Sequence, residues 1–133
     1  MKKNGCKYLL DTHALIWAAM DEDRLGRKAA RIVATTPYSQ LALSDVSLQE
    51  IGLLLHLDKI RTTGRPERVF NTLLDYVTVL PITLGIAISA PSLHLPHGDQ
   101  FDRIITATAK AHKLTLITKD ANITESNIVP CLW

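Results

Sequence analysis

Five acidic residues of this chain lie beside or within apolar stretches, where a lone carboxylate is costly to bury. They are Asp11, Glu50, Asp99, Asp102 and Asp120. Carboxylates that a fold gathers from distant parts of a chain repel one another unless a cation binds among them or protons neutralise them. If the fold brings these acids together, a divalent metal site is the simplest chemistry that they predict.

Asp11 and Asp120 each follow a short apolar run that is typical of a buried strand. Ligands of open α/β sheets bind outside the carboxyl ends of the strands, so we expect these two acids at one edge of a sheet. A structural interpretation stays open for both of them. Asp11 could cap the helix that follows it, and Asp120 could be an ordinary turn residue.

Glu50 is predicted to lie on the inner side of a helix over residues 46–57. The polar stripe of that helix passes through Gln49 and His56 and leaves Glu50 among apolar neighbours. An acid on the core side needs a partner, which is either a cation or a basic side chain. A salt bridge at the edge of the polar stripe is therefore the structural alternative to a metal site.

Asp99 and Asp102 are three residues apart at the predicted start of another helix. This spacing fits a capping box, in which each side chain bonds to the backbone N–H of the other residue. The solvent-facing stripe of the helix is expected to include Arg103 and Thr106, which turns Asp102 toward the border of the core. Asp99 thus keeps an alternative role as a helix cap, and Asp102 is the stronger candidate ligand.

Predicted strands alternate with predicted helices along the chain. Strands are expected at 8–10, 39–44, 77–82, 114–118 and 128–132, and helices at 13–20, 24–34, 46–57, 66–76, 83–90 and 100–112. This alternation is typical of an α/β fold with a mainly parallel central β-sheet flanked by α-helices. A length of 133 residues fits a single domain over residues 1–133.

The predicted helix over 24–34 carries a basic face. Its four basic residues at i, i+3, i+4 and i+7 are Arg24, Arg27, Lys28 and Arg31. They could contact phosphate groups, although a solvated face is the simpler interpretation. The net charge of +2 permits a nucleic-acid partner without arguing for one.

Composition also bears on the compartment. Cys6 and Cys131 lack the spacing of a redox or zinc pair, so we expect free thiols in a reducing compartment. Asp11 and His13 interrupt the apolar run near the N-terminus, unlike in a signal peptide. No stretch approaches the ~18 apolar residues of a membrane span. We therefore expect a soluble, cytoplasmic protein with no membrane partner.

Four motifs together resemble a known family. They are YLLDTHALIW, SLQEIGLLLHLDKI, LHLPHGDQFDRIITATA and LTLITKD, in this order along the chain. With this order and spacing the sequence resembles the PIN domain, and within it the VapC-type toxins of bacterial toxin–antitoxin pairs. The resemblance covers nearly the entire chain and implies a three-layer PIN-like α/β fold.

The resemblance implies an endoribonuclease whose acidic site binds Mg²⁺ or Mn²⁺. The residues that match the catalytic and metal-binding acids of the family are Asp11, Glu50, Asp102 and Asp120. Asp99 matches an additional acid of this subgroup. Thr12 and Thr118 fall beside the acids as accessory residues, where they could order a metal-bound water.

The resemblance also implies an RNA substrate, a cognate VapB-type antitoxin and a homodimer. The second motif contains more leucines than one buried helix face requires, namely Leu53, Leu54, Leu55 and Leu57. Some of them could line an antitoxin groove or a dimer interface.

Departures from the family pattern are few. Gln49 replaces a frequent tryptophan, and Gly98 and Gln100 replace a typical arginine and proline, which puts the choice of RNA in doubt.

Two other functions are alternatives to the nuclease. A phosphatase with Asp11 as nucleophile is disfavoured, because His13 stands where such enzymes place a second aspartate. A catalytically silent PIN-fold interaction module would be marked by a lost acid, and no acid is lost.

Overall fold

The computed structural model describes residues 5–60 and 64–133. Its five strands are β1 (Tyr8–Leu10), β2 (Leu41–Ser44), β3 (Thr78–Leu80), β4 (Thr115–Ile117) and β5 (Cys131–Leu132). Its α-helices are α1 (Thr12–Met20), α2 (Arg27–Thr35), α3 (Val46–His56), α4 (Pro66–Leu74), α5 (Leu84–Ser89), α6 (Gln100–His112) and α7 (Ala121–Ser126). The strands form one sheet in the order β3-β2-β1-β4-β5, and every pair is parallel. The expected α/β fold with a parallel central sheet is confirmed.

Apolar residues cover both faces of the sheet, which explains why the strand sequences are continuous apolar runs. Leu9 and Leu116 belong to a core cluster that includes residues of α6. Their chain neighbours Leu10 and Ile117 point the other way, into a cluster with residues of α1, α3 and α4. Helices on both faces of one sheet make the molecule a three-layer sandwich.

The register of the parallel strands sets where the polar residues lie. Leu10 pairs with Leu43 of β2 and with Ile117 of β4, so β1 and both its neighbours end together. The backbone N–H of Asp11 donates to the carbonyl oxygen of Ile117 at 3.1 Å. The residues that follow these strands therefore meet at one carboxyl edge.

The prediction of a basic helix over residues 24–34 is wrong in its first part. Residues Glu22–Arg24 form a 3₁₀ turn, and α2 begins only at Arg27, after Gly26. The carbonyl oxygen of Trp133 accepts hydrogen bonds from the first N–H groups of α2, at Lys28 and Ala29, both at 3.0 Å. Arg24 is thus separated from the helix and does not share its basic face.

The solvent-facing stripe predicted for α6, through Arg103, Thr106, Lys110 and Lys113, is confirmed at the two exposed lysines and wrong in its first part. Thr106 is fully buried, and α5 packs against α6. The guanidinium of Arg103 is half-buried and donates to the carbonyl oxygens of Leu93 and Leu95, at 2.9 and 2.7 Å. Because Arg103 holds the preceding loop against the helix, it is a structural residue.

A smaller difference lies near the C-terminal end of the described residues. The sequence pattern predicted no helix after Asp120, where α7 is found with Ile123 as its buried residue. Pro81 follows β3, which is an edge strand, as its missing N–H predicts. Within the described ranges, no helix is both long and apolar enough to cross a bilayer.

Replacing Gly26 is expected to destabilise the protein. A Cβ at this position would lie 2.5 Å from the carbonyl oxygen of Trp133, too close for a backbone atom that cannot swing away. Gly26→Ala should lower the free energy of unfolding by about 1–3 kcal/mol in urea titrations. Gly26→Ser should do so as well, although serine is a better helix cap.

Gly52 provides the matched control. It lies inside α3, and the nearest atom to a Cβ there would be a Phe70 ring carbon at 3.9 Å. Gly52→Ala should therefore raise the free energy of unfolding by about 0.5–1 kcal/mol, since glycine is a poor helix residue. A Gly26→Ser protein as stable as wild type would contradict the steric account.

Candidate active site

A cavity of about 450 Å³ lies at the carboxyl edge of the sheet. All five acids singled out from the sequence line it, namely Asp11, Glu50, Asp99, Asp102 and Asp120. They come from the end of β1, from α3, from the start of α6 and from the loop after β4. The fold therefore brings together carboxylates that are far apart in the sequence.

Asp11 caps α1 and faces the cavity at the same time. One carboxylate oxygen accepts a hydrogen bond from the N–H of Ala14 at 2.8 Å, and the other accepts one from the Thr118 hydroxyl. Burial raises the pKa of Asp11 above its usual value, against the lowering effect of those hydrogen bonds. The charge of Glu50 raises it further, so the two carboxylates interact.

Thr118 connects two of the acids. Its fully buried side chain donates to Asp11, and its oxygen accepts from the N–H of Asp120 at 3.1 Å. Asp120 in turn caps α7, with its Oδ1 accepting from the N–H of Ile123 at 3.0 Å. The hydroxyl of Thr118 thus holds Asp11 and Asp120 at fixed positions beside each other.

Glu50 is half-buried on α3, and its neighbour Gln49 is exposed, as the polar stripe indicated. Thr12 fixes the position of α3 relative to α1, because its buried hydroxyl donates to the Ser47 hydroxyl at 2.9 Å. Thr12 also lines the cavity. The hydrogen bond between the two helices sets how far Glu50 lies from the end of β1.

Asp99 and Asp102 form the capping box that their spacing predicts. The Asp99 side chain accepts from the N–H of Asp102 at 2.8 Å, and the Asp102 side chain accepts from the N–H of Asp99 at 3.3 Å. Burial raises the pKa of Asp102 to about 6, and the charges of Asp99, Asp120 and Glu50 add to this rise. Acids at the start of α6, on α3 and after β4 therefore repel one another across the cavity.

Within residues 5–60 and 64–133, no group of three or more acidic, histidine or cysteine side chains is placed to hold a metal ion directly. The carboxylates instead surround a space that is large enough for water molecules. Mg²⁺ prefers hard oxygen ligands, keeps several of its waters and is commonly bound by only one or two carboxylates. The donor set fits a hydrated divalent cation better than an ion enclosed by protein.

The cavity has a second set of residues that the sequence reasoning missed. His13, Trp17 and Lys119 line it together with the acids. His13 and Trp17 are four residues apart on α1, so their rings lie on one face, with centroids 5.7 Å apart. The spacing of His13 and Trp17 could have revealed from the sequence that they share a helix face. The position of Lys119 in the same cavity depends on the fold.

The model of the PIN domain family matches residues 8–127, a span that includes all five acids of the cavity. The chain belongs to the PIN-domain family. This PIN domain is 29% identical over 116 residues to Ribonuclease VapC22 of Mycobacterium tuberculosis, a match that covers 86% of this chain and 88% of that protein.

Solved structures share the fold of this PIN domain. DNA-bound VapBC from Salmonella typhimurium has a TM-score of 0.73 at 17% identity, covering 96% of this chain and 97% of the other. FitAcB from Neisseria gonorrhoeae has a TM-score of 0.67 at 22% identity, covering 95% and 96%. At these identities the likeness establishes the three-layer arrangement and nothing finer.

Repulsion among the acids predicts a pH dependence of stability for the metal-free PIN domain. The pKa of Asp102 is 3.8 ordinarily and about 6 in the folded protein, so the folded state binds more protons between these values. The free energy of unfolding should therefore fall as pH rises from about 4 to about 6. Thermal unfolding in EDTA at several pH values measures this.

Asp102→Asn should flatten this decline and raise the melting temperature above pH 6, because the amide keeps the capping oxygen but carries no charge. Glu125→Gln is the matched control, since Glu125 is exposed and outside the cavity. Identical pH profiles for Asp102→Asn and wild type would show that the repulsion is not significant.

Proposed function

We propose that this protein is a metal-dependent endoribonuclease, the toxin of a VapBC-type toxin–antitoxin pair, and that residues 1–133 act as one PIN domain. The observation that carries the proposal is the convergence of five carboxylates on one cavity of a PIN-domain chain. The similarity to Ribonuclease VapC22 over most of both chains supports the choice of RNA as substrate. We also propose a cytoplasmic location, which agrees with the proposed RNA substrate.

The proposed reaction is hydrolysis of an RNA phosphodiester bond with Mg²⁺ or Mn²⁺ as cofactor. Asp11 and Asp102 are the proposed main ligands, because both line the cavity and come from two different elements, the end of β1 and the start of α6. When bound, the cation lowers the pKa of a coordinated water and stabilises negative charge on the phosphate. Glu50 and Asp120 bind a second ion or orient the attacking water.

Thr118 and Thr12 have positioning roles in this proposal. The two hydrogen bonds of Thr118 hold Asp11 and Asp120, and the bond from Thr12 to Ser47 holds α3, which carries Glu50. Asp99 holds Asp102 through the capping box and adds its own charge to the cavity. Ligands held in this way need little rearrangement when the cation binds.

Purified wild-type protein is expected to cut single-stranded RNA in Mg²⁺ or Mn²⁺ and to lose this activity in EDTA. Asp11→Asn and Asp102→Asn should each reduce the cleavage rate by more than about 100-fold, because each removes a charged ligand but keeps a helix-capping oxygen. Thr118→Val should cost about 10–100-fold. Gel analysis of labelled RNA measures all three.

Glu125→Gln serves as the control and should cleave RNA at the wild-type rate. Full activity of Asp11→Asn would contradict the assignment of the site. A well-folded wild-type protein that cuts no RNA with either cation would instead favour the catalytically silent interaction module.

The proposed antitoxin site is an apolar groove that adjoins the acidic cavity. Its aliphatic part is lined by Ile16, Met20, Leu54, Leu57 and Ile60, and its remaining lining residues are His13, Trp17, Asp21, Arg24 and Lys59. Met20 and Leu57 are 45% and 52% exposed, as expected for side chains that a partner covers. Because the groove continues into the acids, a partner helix with an apolar face and one basic side chain would complement both parts.

Leu57→Glu is expected to weaken copurification with the small DNA-binding protein that we predict in the adjacent reading frame. RNA cleavage by the free toxin should persist, since Leu57 does not line the acidic cavity. Leu53→Glu is the matched control, because Leu53 is equally exposed on α3 but outside the groove. Equal loss of the partner in both variants would argue against this groove.

We also propose that two copies of the chain associate through α5. Leu84 and Ile88 lie one turn apart on this helix and are 78% and 68% exposed, the most exposed large apolar residues of the described chain. Ile82 extends the same apolar patch at 38% exposure. Such a patch on a short helix is self-complementary across a two-fold axis.

Light scattering after size exclusion should give twice the chain mass for wild type. The double variant Leu84→Glu/Ile88→Glu should elute as a monomer, because four new charges would face one another across the two-fold axis. A monomeric wild-type protein would contradict the proposed dimer.

A further inference from the structure

We propose that Trp17, together with Arg24 and Lys119, forms a stacking subsite for one unpaired base of the RNA substrate. The subsite adjoins the acidic cavity and would place the phosphodiester bond that is cut. This inference rests on the ribonuclease function proposed above.

Trp17 lies where two cavities meet. The acidic cavity and the neighbouring groove, whose volume is about 660 Å³, share only His13 and Trp17 among their lining residues. Trp17 is half-buried, so part of its ring stays accessible to solvent. A nucleotide strand that leaves the acids toward the groove would therefore pass over this ring.

Two cations face the Trp17 ring. The guanidinium carbon of Arg24 lies 4.5 Å from the ring centroid, and the ammonium of Lys119 lies 6.0 Å from it. Lys119 lines the acidic cavity, whereas Arg24 lines the groove, so positive charge approaches the ring from both cavities. Because Arg24 is exposed, its guanidinium can leave the ring or cover a base stacked on it.

The ring is held in place from its other side. Trp133 packs against Trp17 in an edge-on contact with centroids 5.7 Å apart. Trp133 is itself fixed by two hydrogen bonds to its carbonyl oxygen, from the N–H groups of Lys28 and Ala29. A stacking surface fixed in this way loses little side-chain entropy when a base binds.

The charges favour RNA as the occupant. The acids repel the phosphates next to the cut bond, so an attractive contact for the strand has to lie outside the acidic cluster. Stacking on an aromatic ring with a nearby arginine is the usual way in which proteins bind single-stranded nucleic acid without reading its sequence. The exposed side chains of Arg27 and Lys28, at the start of α2, add positive charge near Trp133.

The test uses an RNA that the wild-type protein cuts at one position, and the Asp11→Asn protein as the parent, so that binding is measured without cleavage. Trp17→Ala in this parent should weaken binding of the fluorescein-labelled RNA about tenfold in anisotropy titrations. Trp17→Phe should bind like the parent. Tyr38→Ala is the matched control, since Tyr38 is 51% exposed and precedes β2 at the opposite edge of the sheet.

A series of RNAs with one abasic nucleotide separates stacking from a structural role. One abasic position near the cut should weaken binding to the parent about tenfold and leave binding to Trp17→Ala unchanged. Arg24→Gln changes only an exposed side chain and should lower the salt dependence of log Kd by about one.

Two results would overturn the inference. Unchanged RNA affinity of Trp17→Ala would leave Trp17 as a contact for a protein partner. Equal abasic penalties in Trp17→Ala and the parent would make it a structural residue. Absence of any cleavage by the wild-type protein would instead count against the proposed function. Cleavage by the wild-type protein is therefore measured before these titrations.

Discussion

The parallel register of β1 with β2 and β4 is the constraint on which the rest of this structure depends. Because the three strands end together, Asp11 and Thr118 lie side by side, and the hydroxyl of one bonds to the carboxylate of the other. A shift of one residue in either pairing would turn one of these side chains to the opposite face of the sheet. The apolar clusters on both faces oppose such a shift, so the same packing that stabilises the sheet also fixes the site.

The acids of the cavity are held in place by the ends of helices. Asp11, Asp99 and Asp120 cap α1, α6 and α7, and each accepts a hydrogen bond from a backbone N–H group. Helix N-termini stabilise negative charge, which partly offsets the repulsion among these acids, although burial still raises the pKa of Asp11. A capping role and the proposed ligand role are therefore compatible for Asp11 and Asp99, because each capping bond uses only one carboxylate oxygen.

Local sequence patterns predicted the alternation of strands and helices and the acid at each element end. They did not predict the break before Gly26, because that break depends on a contact with Trp133, which is far from α2 in the sequence. They also placed Thr106 in solvent, since no periodicity within α6 reveals that α5 covers it. In the site, each acid was predictable from its own neighbours, whereas the stacking of Arg24 on Trp17 is a contact between two separate elements.

The hydrogen bond between Thr118 and Asp11 joins residues 107 positions apart. During synthesis, the chain must therefore extend past β4 before β1 pairs with that strand and before Asp11 accepts its hydrogen bond from Thr118. Contacts of such high sequence separation form late, because the loop entropy has to be overcome before they stabilise anything. A nascent chain still short of β4 therefore carries Asp11, Glu50 and Asp102 without the fixed arrangement that Thr118 and Asp120 complete.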